Sequence, residues 1–248
     1  MEPKRFKIIA CNVLFRELSV CAAYSPHLID VDFLHRSLHN DPDKLRREVQ
    51  KRIDDNVGAG YDYLLLGYAL CSNGTAFLEA RDTPLVIPRG HDCITVLLGS
   101  REAYNRTFWE TPGTYYYTPG WIEREGVDKE RTSVDGEAAR ERIHAEYVEK
   151  YGPENAGYLM EMLHSWQKNY SRALFVEMGL IDMAEIKEKA KQVAQQYKWR
   201  YDECRGDLRL ARNLVEGNWD PREFLIVPPG GKTAPSYVED EILRLASD

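Results

Sequence analysis

Residues 61–100 read YDYLLLGYALCSNGTAFLEARDTPLVIPRGHDCITVLLGS. The stretch holds two short apolar runs, Tyr63–Leu66 and Leu85–Ile87, each ended by turn residues and each followed by a cysteine. Cys71 precedes Ser72-Asn73-Gly74, and Cys93 follows Pro88-Arg89-Gly90-His91-Asp92. Apolar runs this short, bounded by turn signals, read as buried strands. A helix predicted from about Ser72 to Ala80 joins them into a β-α-β unit, whose crossover suits adjacent parallel strands under a covering helix. Outward from this unit, Lys7-Ile8-Ile9-Ala10 repeats the pattern and leads straight into Cys11. Three predicted strands therefore each deliver a thiol near their C-terminal end.

In an open α/β sheet, ligands bind in the crevice outside the carboxyl ends of the strands. If the three strands are neighbours, Cys11, Cys71 and Cys93 converge there. Three thiolates with a fourth position open suit a catalytic metal ion or a cluster with one exchangeable iron, whereas a structural site would be closed by a fourth protein ligand. Asp92 is placed as the N-cap of a helix beginning at Cys93. Helix N-termini favour thiolate, which the predicted positions of Cys71 and Cys93 would exploit. His91 is the proton-transfer candidate beside Cys93, with Asp92 as its orienting partner. Arg89 could clamp a carboxylate or phosphate, or pair with Glu79 instead. Tyr68, Trp121 and Glu17 are candidates for lining the same crevice, and Cys21 is the natural fourth ligand if one is needed. Cys204, His27, His35 and His39 fall outside any metal-ligand spacing, and solvent-facing positions would explain the histidines. A purely structural reading stays open, with small apolar thiols filling tight spots under strand ends.

The rest of the chain extends the α/β rhythm. Lys4–Ala10 is the predicted first strand, Asn12–Ala23 a short helix, and Leu28–Phe33 a strand with alternating Ile29, Val31 and Phe33. Leu45, Val49 and Ile53 mark a helix over Asp43–Val57. Tyr115–Tyr117 reads as a strand and Thr118-Pro119-Gly120-Trp121 as an aromatic loop. Arg124–Gly136 is charged and reads as an exposed connection. Three helix-like stretches follow, Glu137–Tyr151, Glu154–Gly179 and Asp182–Tyr197. A strand near Trp199–Asp202, a helix over Asp207–Val215, a strand at Glu223–Val227 and a last helix over Val238–Ala246 complete the chain. The expected architecture is a Rossmann-like, mostly parallel sheet with a helical insertion in the middle of the chain. Residues 1–123 form an α/β lobe carrying the cysteines, 124–198 the helical insertion, and 199–248 a C-terminal segment completing the sheet.

With 248 residues, 43% of them hydrophobic, the chain can bury a real core. Its net charge of -7 and lack of a Lys/Arg stripe argue against a nucleic-acid partner. No apolar run approaches the roughly 18 residues that span a bilayer. The N-terminal MEPKRFKIIACNV has no signal-peptide pattern, so a cytoplasmic location is expected. Five cysteines, an odd number, argue against a disulfide framework and leave free thiols or ligands.

The blocks IIACNVLFREL, LGYALCSNG, LVIPRGHDCITVLLGS, YYYTPGWIE and GDLRLARNLVEGNWDPREFLIVPPG together resemble an uncharacterised family, domain of unknown function 1638. The resemblance covers nearly the whole chain, and the PR-x-HDC block is its most specific part. It implies that Cys11, Cys71, His91, Asp92 and Cys93 belong to the family pattern. Asn12 and Ser72 depart from it, standing where many relatives have glycine. The family occurs mostly in anaerobes beside corrinoid-dependent methyltransferase genes, which implies a role near one-carbon or corrinoid metabolism. The cysteine layout is also similar to that of quinolinate synthase and the 2-hydroxyacyl-CoA dehydratases, which hold a four-iron cluster through three cysteines. The leading expectation is an enzyme binding a [4Fe–4S] cluster, or a Zn or Fe ion, through Cys11, Cys71 and Cys93. It would act on a small polar substrate as a lyase or a methyl or sulfur transferase. Two alternatives stand beside it: a non-catalytic accessory module binding a corrinoid, a corrinoid protein or a methyltransferase, and a metal-free thiol enzyme using Cys93 with His91.

Overall fold

The computed structural model describes residues 2–123, 137–238 and 241–246, with the backbone alone for 137–140 and 163–166. Its elements are β1 (Arg5–Cys11), α1 (Phe15–Tyr24), β2 (Leu28–Leu34), α2 (Pro42–Asp54), β3 (Tyr63–Gly67), β4 (Leu85–Pro88), α3 (Cys93–Leu97), α4 (Arg101–Glu110), β5 (Thr114–Tyr117) and α5 (Pro119–Glu123). There follow α6 (Glu137–Tyr151), α7 (Pro153–His164), β6 (Arg172–Glu177), α8 (Ala184–Gln196), β7 (Arg200–Arg205), α9 (Arg209–Glu216), β8 (Phe224–Val227), β9 (Thr233–Pro235) and β10 (Leu243–Leu245). The chain divides into two units, one of Met1–Thr107, Met178–Ile181 and Arg205–Asp248, the other of Phe108–Glu177 and Asp182–Cys204.

The first unit is built on a five-stranded sheet of order β2-β1-β3-β4-β8. β1 pairs in parallel with β2 and β3, β3 with β4 likewise, and only β8 joins antiparallel, so the sheet is mostly parallel as expected. Ile8, Ile9, Leu64, Leu65, Leu66, Leu85, Val86 and Ile87 are all essentially inaccessible to water. Strands covered on both faces show such unbroken apolar runs, because neither side of the pleat meets solvent. β1, β3 and β4 are consecutive neighbours, so the three predicted thiol-bearing strands do share one edge of one sheet. The order 2-1-3-4 reverses direction between β1 and β3, and in doubly wound sheets that reversal opens the ligand crevice. At the end of this pair, Ala10 lies opposite Gly67, and a Cβ added to Gly67 would stand 2.4 Å from the Ala10 Cβ.

The flanking helices follow local chemistry. In α2 the Asp41 carboxylate caps the Lys44 amide at 3.0 Å, Pro42 opens the helix, and Leu45, Val49 and Ile53 are buried at a four-residue spacing. α9 buries Leu210, Ala211, Leu214 and Val215 and packs on α1, and its end turns through Gly217 at φ +79°, the left-handed cap that glycine adopts without strain.

The second unit holds a three-stranded sheet of order β5-β6-β7, with β5 and β6 parallel. α8 packs on β6 and α5, and α6 on α7. Lys187 on α8 donates to Glu177 at 2.6 Å and to Glu203 at 2.7 Å, tying the helix to β6 and β7.

Four predicted elements differ. Arg172–Glu177, inside the stretch read as helix, is a strand with all but its last residue buried; a short apolar run has the same pattern in a buried helix and a buried strand. Residues 71–77 form turns instead of a helix, with Cys71, Ser72, Asn73 and Phe77 all at positive φ. Their amides find a distant partner, since Phe77 donates to the Thr233 carbonyl at 2.9 Å and Leu78 to the Thr233 hydroxyl at 2.8 Å. Pro119–Glu123 is a short helix where a loop was expected. Leu243–Leu245 pairs with β9 as a strand in place of the last helix. The predicted connection at Arg124–Gly136 lies outside the described residues.

Candidate metal centre

Cys11 ends β1, buried, opposite Leu34 of β2. Beyond the β3–β4 ladder, the Leu70 amide donates to the Gly90 carbonyl and the Cys71 amide to that of His91, both at 2.9 Å. These two bonds hold the Cys71 turn against the Cys93 turn. The turn is secured from its other side by Thr233, whose hydroxyl donates to the Thr75 carbonyl at 2.8 Å while accepting from Leu78. Cys93 is the first residue of α3, and the Asp92 carboxylate caps the Ile94 amide at 2.9 Å, as the sequence predicts. The same carboxylate accepts from the Tyr104 hydroxyl at 3.3 Å.

The electrostatics join these strand ends into one site. Burial pushes the Cys11 thiol up to about 11, offset in part by the Val13 backbone and the Arg36 guanidinium. The thiols of Cys71 and Cys93 are buried although parts of both residues reach solvent, and both are pushed up further. After burial, the causes at Cys71 are Asp92 and Cys11, and at Cys93 they are Asp92, Cys11 and Cys71. The expectation that helix N-termini lower these two thiols is overturned. Cys71 lies on a turn, and at Cys93 removal of the thiolate from water outweighs the dipole of a five-residue helix.

Tyr68 follows β3 directly and is only 2% exposed. Its hydroxyl is buried with no hydrogen-bond partner. Burial first, and then Cys11, Cys71 and Cys93, raise its phenol well above the usual range, with Asp32 adding to them. One buried hydroxyl therefore senses all three cysteines.

The structure thus draws together Cys11, Cys71, Cys93, Asp92 and Tyr68. His91 is exposed at the mouth, its ring 5.6 Å from that of Tyr104. Arg89 turns to the C-terminal segment, donating to the carbonyls of Phe224 at 3.4 Å, Glu241 at 3.0 Å and Leu243, while Glu79 pairs with Arg81 and Lys232. Glu17 is buried on α1 next to Cys21, whose other charged neighbours are Arg212 and Glu216. Trp121 belongs to the second unit. His27 is buried against Phe6 at a ring separation of 4.6 Å and accepts from the Lys4 amide, which corrects its expected solvent-facing position.

Arg36 went unnoticed in the sequence. It is 5% exposed, follows β2, and its charge bears on Cys11. The strand-end rule applied to β2 would have found it, since β2 is β1's other neighbour. Asn12 and Thr95, each within two residues of a cysteine, also carry buried side-chain oxygens without a partner.

Among the described residues, no three His, Cys, Asp or Glu side chains stand ready as a metal-donor set. Closing three thiolates on one ion with bonds of about 2.3 Å would take rotation of these side chains. The donor chemistry nonetheless suits a thiophilic ion or an iron–sulfur cluster. Metal binding displaces the thiol protons and reverses the local charge balance that now keeps them on.

Among the described residues, no helix is long and apolar enough to cross a membrane. No curated protein and no solved structure matches this chain. A family model described as "Protein of unknown function (DUF1638)" matches residues 33–215, which include Tyr68, Cys71, His91, Asp92 and Cys93. With close to three-quarters of its length matched, the chain belongs to the DUF1638 family of proteins of unknown function.

Proposed function

We propose that Cys11, Cys71 and Cys93 hold a metal ion or a [4Fe–4S] cluster, with one coordination position left for a small polar substrate, in one-carbon or corrinoid-linked metabolism of anaerobes. The supporting observation is that three thiols from three adjacent strand ends, at the point where the strand order reverses, bear on the same buried hydroxyl. When bound, such a group supplies Lewis acidity to the substrate.

The chain's own residues do the rest. Asp92 fixes the turn from which Cys93 projects, and the Cys71 amide bonded to the His91 carbonyl holds the second thiol in register. Arg36 offsets part of the negative charge that three thiolates would accumulate. His91, exposed at the mouth, can carry protons between the crevice and water. The reaction classes that fit are a lyase and a methyl or sulfur transfer. A metal-free thiol enzyme using Cys93 and His91 has less support, since burial and Asp92 hold Cys93 in the unreactive thiol form.

Anaerobic purification followed by iron, zinc and sulfide analysis and absorption spectroscopy tests the reading. The expected result is stoichiometric metal that is lost on Cys→Ser replacement at position 11, 71 or 93. A colourless protein with only trace metal, unchanged after anaerobic reconstitution, would refute it.

A further inference from the structure

Of the buried polar groups near the thiols, Tyr68 has the best-defined surroundings. It continues from Gly67 past the end of β3, where the register pairs Ala10 with Gly67, so it enters the crevice beside Cys11. Its ring is buried, and its hydroxyl donates to no protein atom. A buried hydroxyl without a partner costs about 1–3 kcal/mol, so it is informative wherever it persists. Its neighbours in the crevice are Cys11, Cys71 and Cys93, all within electrostatic reach. The phenol stays protonated at any ordinary pH and can serve only as a donor to an anion or an acceptor oxygen.

Resting on the proposed three-cysteine site, we infer that the Tyr68 hydroxyl donates a hydrogen bond to the ligand occupying the open coordination position, and that this ligand bears an acceptor oxygen of the carboxylate class. Three thiolates already surround the ion with sulfur donors. A hydroxyl aimed among them favours an oxygen anion at the remaining position over an apolar or purely donating group. Tyr68 is then a specificity-determining residue, while the cysteines alone hold the ion.

The test uses the full chain loaded anaerobically with Co²⁺, whose thiolate charge-transfer and d–d bands report the two kinds of ligand separately. Wild type and Tyr68→Phe are titrated with Co²⁺ and then with acetate. The expected result is Co²⁺ affinity and charge-transfer bands alike in both proteins, with acetate shifting the d–d bands at a concentration about ten- to a hundred-fold higher in Tyr68→Phe. The metal-free variant should melt at or above the wild-type temperature, because the group removed has no partner to lose.

Equal acetate titrations would overturn the inference and leave the metal site standing. A charge-transfer shift or a ten-fold loss of Co²⁺ affinity in Tyr68→Phe would also overturn it, placing the hydroxyl on a cysteine sulfur. A melting temperature several degrees below wild type would show a structural partner and overturn it as well. Failure of both proteins to bind Co²⁺ would remove the metal site itself and this inference with it.

Discussion

Gly67→Ala places one methyl group under the candidate site, and the structure sets its cost. The new Cβ would lie 2.4 Å from the Ala10 Cβ, 2.7 Å from the Leu18 Cδ1 and 3.1 Å from the Ala10 Cα. Ordinary carbon–carbon contact is about 3.5–4.0 Å, so more than about 1 Å of movement is needed at Ala10. Leu18 can rotate away, but Ala10 is locked into the β1–β3 register from Phe6↔Tyr63 to Ala10↔Gly67. Overpacking of this kind costs about 1–3 kcal/mol, and the rigid partner places it toward the upper end. Reduced freedom of the unfolded chain returns up to about 1 kcal/mol, since Gly67 does not occupy the left-handed region. The net loss should be about 2 kcal/mol, a fall in melting temperature of about 4–8 °C for a chain of this size. Urea unfolding combined with native-state hydrogen exchange at the β1 and β3 amides reads this in the first unit. Ala10→Gly removes the nearest clashing atom, so the double variant should be at least about 1 kcal/mol more stable than the two single losses combined imply. A Gly67→Ala protein within about 0.5 kcal/mol of wild type would refute the packing argument.

Thr233→Val preserves shape but strands the Leu78 amide and the Thr75 carbonyl, both bonded to the Thr233 hydroxyl at 2.8 Å. A loss of about 1–3 kcal/mol is expected, with exchange at the Leu78 amide accelerated by at least about ten-fold; unchanged protection there would show that the hydroxyl does not secure the Cys71 turn. In the second unit, the Lys187 ammonium holds Glu203 below its usual 4.5. A carboxyl lowered on folding stabilises above its unfolded pKa and loses that contribution as pH falls through the folded value. Lys187→Met should therefore flatten the loss of stability below about pH 4.5, by less than about 1 kcal/mol because both carboxylates of the pair are more than a third exposed. An acid limb of unchanged slope in Lys187→Met would exclude this origin.

By itself, the sequence determined the parallel sheet. Its central strands are runs of aliphatic residues with no polar face, a pattern that only burial on both sides explains, and β3 falls where Tyr63–Gly67 predicts. It also determined the edge at which Cys11 and Cys93 stand and the Asp92 cap, because a strand end and an N-cap are decided within a few residues. Tertiary structure alone decided the rest. The left-handed turn at Cys71 forms because its amides bond to Thr233, more than 150 residues away, which no local periodicity encodes. Arg172–Glu177 became a strand because β5 was there to pair with it. The convergence on Tyr68 and the upward push on the thiols likewise follow from who is buried beside whom, a property of the packed chain and not of any segment of it.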